Sequence, residues 1–152
     1  MSSFKIFDVA GSGMSAQSVR LNTVASNLAN ADSVSGDPST VYKARHPVFA
    51  AVKQAMGAMN LSSPGGFGIS PSDQGTGAAV RVNSIVESTA PATERYDPGN
   101  PLADEHGNVY APNVNVIEEM TDMISASRAY QDNVEVMNTS KDLMLATLKL
   151  GQ

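Results

Sequence analysis

The chain contains no cysteine and no tryptophan. Without thiols there is no disulfide, no thiolate metal site and no cysteine nucleophile, and either redox compartment is tolerated. Aromatic residues make up only 5 %, and the 12 glycines and 8 prolines fall mostly in the middle, so a large conventional core is not expected. Basic residues are few and scattered. Ten Lys and Arg against 15 Asp and Glu leave a net charge of -5, which argues against nucleic acid as a main partner, because phosphate binding needs clustered cations. No run of about 18 apolar residues is present to span a membrane. The opening stretch Met1 to Asp8 has one lysine, an acid and no apolar h-region. No cleaved signal peptide is therefore expected, and sequence rules alone read the chain as cytoplasmic.

What is present is concentrated at the two ends. From Asn113 to Gln152 the pattern predicts one long helix with an apolar seam in a 4-3 alternation: Val116, Met120, Met123, Ser127, Tyr130, Val134, Met137, Lys141, Met144 and Leu148. Only Ser127 and Lys141 break it. That spacing is the heptad seam of a coiled coil rather than the broader stripe of a helix lying on a globular core. Pro112 followed by Asn113 marks the start, with Asn113 as the expected N-cap and Glu118, Glu119 and Asp122 in the first turns, where the macrodipole favours acids. A helix over this span would reach roughly 57 Å, too long for one face of a small compact domain. It must project or be wrapped by partners.

The first 31 residues repeat the theme. Phe7, Met14, Leu21 and Leu28 share one heptad position, and Ala10, Gln17, Val24 and Ala31 fall three residues later. An apolar seam facing water has no stable home alone, so the economical reading is that the two terminal helices pair with each other. Gly11 and Gly13 each weaken the first helix by roughly 1 kcal/mol relative to alanine, which makes it the later segment to order. The same small residues permit close approach of another helix. Five methionines, Met14, Met120, Met123, Met137 and Met144, lie on the seams, where a flexible thioether adapts to several packing surroundings.

Between the helices, residues 32–112 show no helical period. Val48 to Val52 is an apolar run of strand or short-helix length, Val80 to Glu87 alternates as a strand, Thr93 to Tyr96 and Asn108 to Tyr110 read as short strands, and Asp97-Pro98-Gly99-Asn100-Pro101 is a tight turn. Gly57 to Gly77 reads as a long loop. The fold class predicted is α+β: long N- and C-terminal helices, residues 1–31 and 113–152, paired as an antiparallel coiled coil around a small, loop-rich β region.

Candidate chemistry is thin. Asp97, Asp104, Glu105 and His106 are metal-ligand types within ten residues, but their spacing matches neither a calcium loop nor a zinc-protease helix, and an exposed polar turn needs no ligand. Gly11-Ser12-Gly13 lacks the preceding strand and the lysine of a phosphate loop. His46 and His106 are the only histidines, and a small hydrolase on the β unit would depend on one of them. A coiled-coil adaptor in the cytoplasm is the other class left open. No catalytic residue, cofactor or metal is expected.

Two stretches carry a resemblance. Ser15-Ala16-Gln17, Arg20-Leu21-Asn22 and above all Ala25-Ser26-Asn27-Leu28-Ala29-Asn30-Ala31 are similar to the signature of the flagellar axial rod and hook proteins. The run Asn100-Pro101 through Ala111-Pro112-Asn113-Val114-Asn115-Val116-Ile117-Glu118-Glu119-Met120, continuing Met123 to Val134, resembles the proximal-rod members of that family. The match covers about half the chain. Ser33, Asn100 and Gly107-Asn108 depart from it at loop positions. The resemblance implies a structural subunit of the basal-body rod that assembles helically and transmits torque from motor to hook. It also implies export by the flagellar type III apparatus without a cleaved signal, and so a periplasmic address in place of the cytoplasmic one. The implied partners are proximal and distal rod proteins, a rod-base adaptor protein, copies of the chain itself, and the rod assembly factor that faces peptidoglycan. The axial motif Ser26, Asn27, Leu28, Ala29 and Asn30, with the seam positions Phe7, Met14, Leu21, Val24 and Leu28 and their C-terminal counterparts, is where assembly is expected to be encoded.

Overall fold

The computed structural model describes residues 2–53 and 78–150. The loop expected over Gly57 to Gly77 lies outside the described residues, apart from its neighbours in the flanking strands. In chain order the elements are α1 (Ser2–Ala29), β1 (Arg45–Lys53), β2 (Ala78–Glu87), β3 (Thr93–Tyr96), β4 (Asn108–Ala111) and α2 (Val116–Leu150). Two long terminal helices enclose two small hairpins, which is the α+β arrangement that the heptads and alternations predict.

Both helix ends are set by asparagine. At the end of α1, Asn30 donates from Nδ2 to the Ser26 carbonyl at 2.8 Å, and the Ser33 hydroxyl donates to the Asn30 carbonyl at 2.7 Å, so that carbonyls left over by the last turn find partners. At the start of α2 the cap is Asn115, not Asn113: its Oδ1 accepts the Ile117 N–H at 3.2 Å and its carbonyl accepts the Glu119 N–H at 3.0 Å. The helix therefore begins at Val116, and Pro112 is buried ahead of it.

The helices run antiparallel. Asn27 meets Glu119 and Arg20 meets Asp122, while Gly13 lies against Asn133, so partners rise along α2 as they fall along α1. The residues at this contact are small. Ala10, Ala16 and Ala126 are 3 %, 4 % and 0 % exposed, and a Cβ on Gly13 would stand 3.0 Å from the Asn133 side chain. Short side chains let helix axes come close, at the cost of little buried apolar area per residue.

β1 and β2 pair antiparallel from Arg45↔Glu87 to Lys53↔Ala78, with a bulge between Val48 and Phe49. This hairpin runs along α1. Near its far end the Ser12 hydroxyl accepts the Val80 N–H at 3.1 Å, and at its base Asn27 holds Arg45. β3 and β4 form a second hairpin, Thr93↔Ala111 to Tyr96↔Asn108, to which Ser35 adds a bridge with Tyr110 through bonds of 2.9 and 2.8 Å. Val109 on β4 is fully buried. The loop that leaves α1 is thereby pinned beside the loop that enters α2.

Candidate functional site

Among the described residues the side chain with the most hydrogen bonds is Asn27, in the middle of the expected axial motif. It is fully buried. Its Nδ2 donates to the Arg45 carbonyl and to Glu119 Oε1, both at 2.9 Å, while its Oδ1 accepts the Arg45 N–H and the Tyr42 hydroxyl, both at 2.9 Å. Those bonds use the amide's full capacity. One side chain thus ties α1, the start of β1 and the first turn of α2 into a fixed register. Tyr42 is held in addition by the Ser26 hydroxyl at 3.2 Å, and its ring lies under the Arg45 guanidinium. Two turns back on α1, Arg20 pairs with Asp122 at 2.8 Å, with both side chains partly exposed.

Glu119 is the unusual member. It is 6 % exposed, only one of its oxygens is engaged by Asn27, and Oε2 has no partner among the described residues. Glu119 also lines a polar cleft of about 210 Å³ with His46, Asn113, Asn115, Glu118 and Asp122.

The helical seam is therefore partly polar. Glu119, Ala126 and Asn133 recur at heptad spacing on α2, where Glu119 meets Asn27 and Asn133 meets Gly13 on α1. Of the positions expected on the seam, Met123, Val134, Met137 and Met144 are half-buried, whereas Val116, Met120, Tyr130 and Leu148 are exposed at 40, 51, 38 and 64 %. On α1, Val24 is buried and Phe7, Met14, Leu21 and Leu28 are half-buried. In the axial motif, Ser26, Leu28 and Asn30 are half-buried and Ala29 is exposed. The sequence placed Glu119 only among the acids favoured by the macrodipole, and Arg20 and Ala126 only within the stretches that carry the resemblance, none of them at the helix contact. The available signal was the heptad recurrence of small and polar residues opposite Gly13, Arg20 and Asn27.

Large apolar side chains are exposed at both ends of α2. Ile117 and Ile124 are 77 and 54 % exposed, and toward the end of the helix Val136, Leu143, Leu145 and Leu148 are exposed as well. Near α1's beginning, Lys5, Ile6, Val9, Ala10, Asn133 and Val136 line an apolar groove of about 210 Å³. Nothing in the described chain covers these surfaces.

The acidic turn is built differently from a metal site. Asp104 Oδ1 accepts the Asn108 and His106 N–H groups at 2.8 and 2.9 Å, and Oδ2 accepts the Tyr110 hydroxyl at 3.5 Å. The Asn108 N–H above all, with the His106 N–H and charge adding to it against partial desolvation, holds the Asp104 carboxyl below the usual range. Its oxygens are used in closing the turn, in which Gly107 has φ +79°. His46 and His106 sit on different hairpins.

Comparison with known proteins bears on both terminal regions. Residues 7–36 match the family described as flagella basal body rod protein, and residues 105–150 match the family described as flagellar basal body rod FlgEFG protein C-terminal. Over its whole length the chain is 51 % identical to the flagellar basal-body rod protein FlgC of Yersinia enterocolitica and 49 % identical to that of Salmonella typhimurium, with both chains fully covered. It is 35 % identical to the FlgC of Borreliella burgdorferi, covering 100 % of this chain and 99 % of that one.

Proposed function

The chain belongs to the FlgC family of flagellar basal-body rod proteins and is a structural subunit of that rod, and from that premise we propose how it assembles. The inner face of its helix pair fixes the chain's own register, and the outer face of α2 packs against neighbouring subunits. The observation that carries this reading is the division of α2 into two faces. The side toward α1 holds Glu119, Ala126 and Asn133, whereas Ile117, Met120 and Ile124 point outward, 77, 51 and 54 % exposed. A contiguous apolar face marks an interaction surface, and contacts that do not close on themselves build helical structures.

In this reading the seam and axial-motif residues serve assembly, and the three segments, residues 1–31, 32–112 and 113–152, are an axial helix, a β region and a second axial helix. Assembled copies form the shaft that passes torque from motor to hook. The chain reaches the periplasm through the type III export apparatus without a cleaved signal, and it meets other rod proteins, the rod-base adaptor and the assembly factor that faces peptidoglycan. The role is structural, with no reaction assigned to it.

The test is a pair of charges on the outer face. The doubly substituted chain, Ile117→Asp with Ile124→Asp, supplied to cells that lack their own copy, is expected to abolish swimming and to be missing from purified basal bodies. The purified variant keeps the helical circular dichroism of the unsubstituted chain, because neither residue meets α1. Normal swimming with the variant incorporated would overturn the outer face as an assembly surface.

A further inference from the structure

Glu119 is buried at the contact with α1, and one of its carboxylate oxygens has no donor among the described residues. A buried anion left without a donor costs free energy that a folded chain normally avoids. We propose that the cleft beside Glu119 is a socket for an arginine side chain, filled in the rod by Arg128 of a neighbouring copy. The inference rests on the rod reading above and names one contact within it.

The socket is built from three segments. His46 on β1, Asn113 in the linker, and Glu118, Glu119 and Asp122 on α2 line a cleft of about 210 Å³. Its charges are not balanced within the chain. Arg20 takes Asp122 at 2.8 Å and Asn27 takes Glu119 Oε1 at 2.9 Å, which leaves the exposed Glu118 and the buried Glu119 Oε2 without a cation among the described residues. A guanidinium suits that remainder better than a bare metal ion. Among the described residues no three acids or histidines converge as metal ligands, whereas a planar fork of donors can engage two carboxylates set apart from each other. The space admits a side chain and not a helix, which is about 10 Å across.

Arg128 carries the matching surplus. It is exposed on α2 and makes no ion pair among the described residues. It follows Ile124 by one turn, so it stands on the outward side already assigned to neighbours. From Glu119 it is about 14 Å along the helix and about half a turn around it, which puts the cleft of its own chain out of reach. The other arginines fit less well. Arg20 and Arg45 are taken by Asp122 and Glu87, and Arg81 and Arg95 lie on or beside the hairpin strands rather than on the helix that faces neighbours. Donor and socket are different surfaces, so the contact runs head to tail and propagates rather than closing into a dimer.

The test is a double-mutant cycle read in two places: urea unfolding of the purified full chain, and the amount of that chain recovered in basal bodies from cells that lack their own copy. Glu119→Gln keeps an oxygen for Asn27 and removes the unanswered charge. The unfolding constant of the isolated chain is therefore expected to fall about tenfold, while recovery in basal bodies also falls about tenfold because the socket has lost its charge. A residue that only braced Asn27 would instead lose stability and recovery together. Arg128→Gln is expected to leave unfolding unchanged and to lower recovery about tenfold. With both substitutions recovery falls no further than with one, since the two halves of a single contact are not additive. A combined loss near a hundredfold would put the residues in separate contacts and overturn the pairing. Full recovery of either single variant, or a loss of stability in Glu119→Gln, would overturn the socket while leaving the rod reading standing. Absence of even the unsubstituted chain from the basal bodies would overturn both.

Discussion

The two ends of the helix pair hold themselves together by different means. Around Asn27 every contact is directional: the amide makes four hydrogen bonds to three segments, and Arg20 reaches Asp122 alongside. Toward Gly13, Val136 and Leu148 the helices meet through small residues, and apolar side chains are left in the open. Directional bonds specify one register within the chain, since a buried amide has few acceptable partners. Non-directional apolar surface stabilises whichever helix comes to lie on it. A subunit that must keep its own shape while accepting neighbours has use for both, at separate ends.

The contrast is broken most severely by asking the same substitution of both ends. Asn27→Ala strands the Arg45 N–H and a Glu119 oxygen in a buried place and leaves the Tyr42 hydroxyl only its Ser26 partner, and it should cost about 3 kcal/mol. Asn133→Ala removes a bond to its own helix, the Ala129 carbonyl, and should cost less than about 1 kcal/mol. Urea unfolding of each full-length variant, followed by circular dichroism, gives both numbers. Equal losses would mean that the register is not set at Asn27.

Glycines sharpen the same comparison with opposite signs. At the bonded end, a Cβ on Gly36 would stand 2.5 Å from the Leu102 carbonyl oxygen, a backbone atom that cannot swing away, so Gly36→Ala should destabilise by about 1–3 kcal/mol. Near the start of α1, a Cβ on Gly11 meets nothing within 4 Å. There Gly11→Ala should stabilise by up to about 1 kcal/mol through helix propensity alone. The same unfolding measurement reads both, and a loss at Gly11 would show that the space beside it is taken in solution.

How much of this was legible beforehand follows from what heptads report. The two helices, their pairing and the short strands could be read because strict sevens and alternations each have one structural meaning. The rotation of α2 could not. Counting apolar residues favours the row Met120, Val134 and Leu148 beside Met123, Met137 and Met144, yet the row that meets α1 on the other side of those methionines is Glu119, Ala126 and Asn133. Hydrophobic periodicity adds up every surface a helix covers, and it does not separate a face turned to its own chain from one left bare. The Asn27 bonds were hidden for another reason. Asparagine near a helix end reads as an ordinary stop signal, and Arg45 and Glu119 are 18 and 92 residues away from it.

The mildest test concerns the β3–β4 turn, where a carboxylate does what the amide does at Asn27. Asp104 closes the turn by accepting the Asn108 and His106 N–H groups, and the first of these is the main reason its pKa lies below the ordinary 3.8. A depressed folded-state pKa contributes stability that is complete above the unfolded value and is lost as pH falls through the folded one. The turn should therefore be unaffected from pH 7 down to about 5 and loosen below about 4, seen as amide shift changes at His106 and Asn108. Asp104→Asn keeps one acceptor oxygen without the charge. It should loosen the turn slightly at pH 7 and remove its acid sensitivity, and an unchanged pH profile in that variant would place the sensitivity elsewhere.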